Sequence, residues 1–378
     1  MLGEKIKEFR EALPDENKRR WFINVLRGVA VFLVIYSHCI LRFRPFEGYD
    51  IFNSKVEQFV CSFNMPLFML ISGYLFYGSY RKRELFELLR HRTSTLAWVI
   101  VAYSIIAYYL YNMPANLIKS HEYVSIVTLI LADDWLVNLR SLWFLWSVMA
   151  CSISVAVAFK LFKGVWLPIV MSVLIGIVVC CIFPLSTLNL FMLPFFIVGF
   201  LCARHEWLQC RIFKAILISS IIIFPLMLHF YDRDCFIYTT GMFSQECGML
   251  KSLGIDCFRW GIGLLGSAFA FCVLGLLSSF CKCRQKVFRL FELLGAYSLQ
   301  VYVIQTIIVE KYLPIVSGRL HSIIGSGGMI DLRLYHFFLI PAMTLLYSVA
   351  ILLVIKLGEA CGMNRYVFGT FLSEDKKR

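Results

Sequence analysis

The chain has 378 residues, of which 60% are hydrophobic and only 16% charged, against about 25% charged in an ordinary soluble domain. A water-soluble fold of this composition would expose large apolar patches, so the chain is read as an all-α polytopic membrane helix bundle. The formal net charge is +13, but the basic residues fall in short runs between apolar stretches (18–20, 81–83, 90–92, 282–286, 376–378), which excludes a nucleic-acid face and fits cytoplasmic loops.

In chain order, residues 1–20 form a polar cytoplasmic segment, 21–358 the membrane domain and 359–378 a cytoplasmic tail. A helix needs about 20 residues to cross about 30 Å of hydrocarbon. Ten runs come near that length: Phe22–Leu41, Val56–Tyr77, Thr93–Tyr111, Ser141–Leu161, Val165–Phe183, Leu188–Ala203, Ile212–Tyr231, Phe258–Phe280, Phe291–Ile308 and Tyr335–Leu357. The first lacks a small-residue cleavage site and stays as an anchor. The bias of Lys and Arg places both termini in the cytoplasm. The apolar stretch EYVSIVTLIL (122–131) is too short to span and is read as interfacial or re-entrant. IGSGGM (324–329) has no lysine and opens no helix, so it is a loop and not a phosphate cradle. Most of the 14 cysteines sit in apolar runs as small apolar residues. Cys281 and Cys283 form an isolated CxC, so no metal site is expected. Cys235, Cys247 and Cys257 share one outside loop, where a single disulfide is left open.

Several polar residues interrupt the spans. Arg27 and His38 stand eleven residues apart in the first, roughly 16 Å along the axis and about three turns, so they share a helix face. Intramembrane ionisable groups cost a few kcal/mol and face the bundle interior or a wet cavity. Taken singly, Arg27 snorkelling to headgroups and His38 capping a neighbour would account for them. Together on one face they suggest a polar channel along the first helix. In the second span, NMPLFMLISGY (64–74) adds Asn64, Ser72 and Tyr74, with a kink expected at Pro66 and Gly73. Arg90 and Arg92 flank the third span as positive-inside charge or, with Arg27, as a cationic mouth for a phosphorylated donor. Trp143 in SLWFLW reads as interfacial belt. Gln305, inside the ninth span, lines the same cavity or bonds to a neighbouring helix.

On these stretches the chain resembles the acyltransferase family 3 proteins, integral membrane O-acyltransferases of bacteria with eukaryotic relatives. The resemblance rests on Arg27-x10-His38, FNMPLFMLISGYLF in the second span, RHRTSTLAW at the third, SLWFLW at the fourth and LGAYSLQVYVIQ in the ninth. It implies a cytoplasmic acyl-CoA donor, usually acetyl-CoA, as co-substrate with no further cofactor. The implied acceptor is a hydroxyl of a cell-surface glycan or lipid-linked sugar, at a bacterial inner membrane. His38 inherits the family's key catalytic position; Arg27, Arg90 and Arg92 inherit the donor side. Asn24, Asn64, Ser72, Trp143 and Gln305 are the candidate cavity residues. Where the family often has Asp, His and His, this chain has Asn24, Asn64 and Gln305, which argues against a two-histidine dyad and shifts weight to His38. The third-span motif lacks its usual proline, with Ala97 near that place, so the choice between Arg90 and Arg92 stays open.

His38 is thus expected as general base for an acceptor hydroxyl, a role that contributes about 10²–10⁴-fold. A multi-pass transporter or flippase for a small polar solute or glycolipid would also place polar residues in a bundle. It would call for paired broken helices, which the sequence does not show, and for intramembrane acids, of which it shows few.

Overall fold

The computed structural model describes residues 16–46, 48–112, 138–183, 186–207, 210–237, 241–242, 248–280, 284–314 and 331–368. The stretches 122–131 and 324–329, Cys247, the CxC, most of both termini and most of the loop 314–333 lie outside them. Helices dominate, and no strand occurs among the described residues. They are α1 (Glu16–Arg42), α2 (Lys55–Lys82), α3 (Leu85–Ala107), α4 (Trp143–Leu161), α5 (Trp166–Ile182), α6 (Ser186–Arg204), α7 (Arg211–His229), α8 (Met249–Phe280), α9 (Arg289–Ala296), α10 (Ser298–Gln305) and α11 (Ile340–Ala360). Among the described residues, seven helices are long and apolar enough to cross a membrane; the pair Arg289–Ala296 and Ser298–Tyr312 makes an eighth if counted as one span. Two shorter apolar helices, Trp166–Ile182 and Ala215–His229, complete the set. These helices fall on the ten apolar runs of the sequence.

Three boundaries differ in ways that bear on the site. First, α3 begins at Leu85, so Arg90 and Arg92 lie within the helix and point in different directions. Second, α2 extends past Tyr77 to Lys82, with Pro66 inside it. Third, the ninth run is broken: α9 and α10 meet at 83°. Tyr297 between them leaves helical geometry, with φ −99° and ψ 20°. Lys356 of α11 donates to the Tyr297 hydroxyl and lies 4.5 Å from its ring centroid, so the corner is braced from a third helix.

Close crossings hold the bundle where side chains are absent. A Cβ on Gly28 would lie 1.8 Å from the carbonyl oxygen of Phe291, and one on Gly295 would lie 1.7 Å from that of Asn24. The backbones of α1 and α9 therefore touch, as small residues permit between membrane helices. Gly73 and Gly199 do the same for α2 and α6, against Phe196 and Leu70. At the other end of the bundle Arg259 of α8 is 3% exposed and pairs with Asp256 at 2.7 Å. Its remaining donors reach the carbonyls of Asp234, Cys235, Phe236 and Gly241. A single guanidinium thus ties the loop after α7 to α8. Cys235 in that loop and Cys257 at the start of α8 are both free thiols.

Candidate active site

Two contacts join α1 to the helix that follows the break. Near its start, Arg27 donates from Nη2 to Ser298 Oγ, the first residue of α10. Further along the same face, His38 Nε2 lies 3.3 Å from Glu310 Oε1. The two pairs are spaced by eleven residues on α1 and by twelve beyond the break. The extra residue is absorbed by a π-helical stretch, Thr306–Tyr312, that carries Glu310; such π-bulges occur frequently at functional sites. Arg27 and His38 therefore share a face, as their spacing predicts, and one partner rod meets both.

The carboxylate orients the histidine. With Nε2–H donating to the carboxylate, Nδ1 is left as the lone-pair nitrogen. That Nδ1 is buried and has no hydrogen-bond partner among the described residues. The His38 side chain keeps 25% of its surface open and Glu310 19%, while Nδ1 itself is covered in this arrangement. Tyr103, fully buried on α3, lies within electrostatic reach of Glu310. Between the two levels Phe68, Phe144 and Tyr302 pack edge to face, with centroids 5.1 and 5.8 Å apart, forming an aromatic wall from α2, α4 and α10.

The cations divide. Arg92 faces inward: its Nε reaches Ser152 Oγ at 3.4 Å, its guanidinium lies 5.8 Å from the centroid of Phe76, and its charge repels that of Arg27. Two like charges brought together in a half-buried place are costly unless an anion joins them. Arg90, two residues away, is exposed. Arg92 therefore faces the level of Arg27, His38 stands three turns further along α1, and Arg90 is on the surface.

The candidate cavity residues are dispersed. Asn24 is half-buried on the wall of a cleft between α1, α2 and α6. Asn64 is buried, and its Oδ1 accepts from the Met65 N–H at 2.6 Å. Ser72 donates to the Phe68 carbonyl of its own helix at 2.9 Å. Trp143 packs edge-on to Phe144 at 5.9 Å. Gln305 is fully buried on α10; its Nε2 donates to Thr306 Oγ1 at 3.2 Å, while its Oε1 has no partner among the described residues.

Sequence reasoning missed Glu310 because the ninth run was closed at Ile308. An acid two residues past an apolar run reads as loop, and the signal available was its place in VEKY, still flanked by apolar side chains. Glu57 was missed as well. It is 3% exposed on α2 and accepts from Ser37 Oγ and from Cys61 Sγ at 3.1 Å. Ser37 adjoins His38, so α1 carries polar partners towards both α2 and α10.

A family model described as an acyltransferase domain, that of acyltransferase family 3, matches residues 20–357. Comparison with curated proteins and with solved structures gave no match.

Proposed function

The chain belongs to acyltransferase family 3, and on that premise we propose that it moves an acyl group, acetyl by family expectation, from acyl-CoA to a hydroxyl of a cell-surface glycan or lipid-linked sugar. The proposed setting is a bacterial inner membrane, with both termini in the cytoplasm. The single observation that carries the reading is the His38–Glu310 contact, a base and its orienting carboxylate on the polar face that begins at Arg27.

The thioester is already activated, so the acceptor hydroxyl's proton is the difficulty. The His38 imidazole accepts it as the hydroxyl oxygen attacks the thioester carbonyl. The C–O bond forms, the C–S bond breaks, and the proton passes from the imidazole to the departing thiolate to give CoA thiol. Glu310 stabilises the imidazolium formed in between, as the acidic member of a base–acid pair does. At the other level Arg27 and Arg92 supply the charge for donor phosphates, whose arrival relieves their mutual repulsion. The pantetheine arm then carries the thioester along the face to His38.

His38→Ala should insert and fold as wild type yet transfer no acyl group from radiolabelled acetyl-CoA in detergent or nanodiscs. Wild-type turnover by that variant would overturn the proposal. A transporter, by contrast, would neither bind nor slowly hydrolyse the thioester.

A further inference from the structure

Where α1 begins and α2 ends, a cleft of about 560 Å³ is lined by Arg19, Arg20, Arg81 and Lys82, with Glu206 the one acid on its wall among the described residues. That volume is within the roughly 300–1,000 Å³ typical of ligand sites. A second pocket of about 210 Å³ continues into the bundle between α1, α2, α6, α7 and α8, lined by side chains such as Leu26, Leu70, Ile71 and Phe271. Ile23, Tyr74 and Cys202 line both, so the cationic cleft adjoins an apolar one. At the pocket's outer lip stand Trp207, 38% exposed, and Ile216, 44% exposed. The apolar space is thus edged by side chains that face the surrounding lipid.

An anionic head joined to an apolar chain has this polarity profile. The geometry points to a binding site for an anionic phospholipid of the adjacent leaflet, its phosphate among the four cations and one acyl chain in the apolar pocket. Basic pockets between membrane helices on the cytoplasmic side hold such head groups. The donor's thioester fits this place poorly. Leu26 is turned about 100° from Arg27 on the helix. The other pocket walls are α2, α6, α7 and α8, whereas the partners of Arg27 and His38 come from α10. The site goes beyond the acyl-transfer reading and does not depend on it.

Native mass spectrometry of the purified protein, given equal phosphatidylglycerol and phosphatidylcholine of the same chains, tests it. Wild type should retain one phosphatidylglycerol in clear preference. Arg81→Gln/Lys82→Gln should cut that preference by about thirtyfold, a factor of roughly five for each cation near a charged head group. Ile216→Trp, which fills the outer lip and leaves the cations in place, should lower retention of both lipids. Equal retention of the two lipids by wild type, or unchanged retention in both variants, would overturn the assignment. So would displacement of the bound lipid by added CoA, which would give the cleft to the donor's head group instead. His38→Ala should hold the lipid as wild type does, so failure here is separable from failure of the acyl-transfer reading.

Discussion

His38 and Glu310 lie on the first and the ninth apolar runs, and their side chains meet at 3.3 Å inside the bundle. A carboxylate behind a base fixes its tautomer and orientation and stabilises its charged form. Glu310→Gln keeps the shape and removes the charge. We expect kcat to fall by about 10²–10³-fold, within the range of general-base contributions. The KM for acyl-CoA should be unchanged, measured by steady-state kinetics in nanodiscs. An unaltered kcat would remove Glu310 from the mechanism.

Arg90 and Arg92 differ in direction, and kinetics should separate them. Arg92→Gln should raise the KM for acyl-CoA about tenfold, the loss of one charge-assisted phosphate contact of roughly 1.4 kcal/mol. Arg90→Gln, on the exposed side of α3, should leave KM within about twofold of wild type, since single surface charges contribute little. The opposite ranking would reverse the donor assignment.

Gly295→Ala should damage folding more than its size suggests. The added methyl would sit 1.7 Å from the Asn24 carbonyl oxygen, and backbone does not yield as a flexible side chain does. Overpacking of this kind costs about 1–3 kcal/mol. A lowered melting temperature, with acyl transfer lost in proportion to folded protein, would fit. Gly48→Ala would not test the same point, since no atom lies near its Cβ and its constraint is a φ of +82°.

Arg259→Lys keeps the charge but loses the fork that reaches four carbonyls and Asp256. Breaking such a buried, hydrogen-bonded ion pair costs about 3–5 kcal/mol when one partner is removed, and lysine should recover only part of that. Limited proteolysis should then cut within 231–242 at temperatures where the wild type resists.

Burial pushes the Cys235 thiol up to about 12, so the folded protein holds almost no thiolate at pH 8. Folding opposes its ionisation, and stability from this group is therefore lost as pH climbs past the ordinary thiol value of about 8.5. An uncharged maleimide at pH 8 should modify exposed Cys210 and Cys361 and spare Cys235 until the protein is unfolded. The same two cysteines report sidedness: an impermeant maleimide should reach both only from the compartment that holds the N-terminus.

Much of the bundle was legible because hydrocarbon thickness imposes a length, and ten runs near that length stand out in the sequence. The shared face of Arg27 and His38 was equally legible, since eleven residues make about three turns. Direction of individual side chains on α3 was not. Arg90 and Arg92 are two residues apart, about 200° around the helix, and only packing against α4 tells which is inside. Glu310 stayed hidden for a related reason, because a boundary drawn from hydropathy stops where the first charge appears. The corner at Tyr297 had no proline to announce it. LGAYS offers only a glycine, whose value is the close approach of α9 to Asn24, a tertiary fact.

The corner makes α10 and its π extension a rod pivoted at its foot. Ser298 sits at the pivot, and Glu310 is about 18 Å up the shaft at about 1.5 Å per residue. A tilt of about 10° would leave the arginine contact nearly undisturbed and swing the carboxylate some 3 Å, enough to disengage it from the imidazole. The His38–Glu310 contact therefore depends on the angle at the corner, which the Lys356–Tyr297 bond braces.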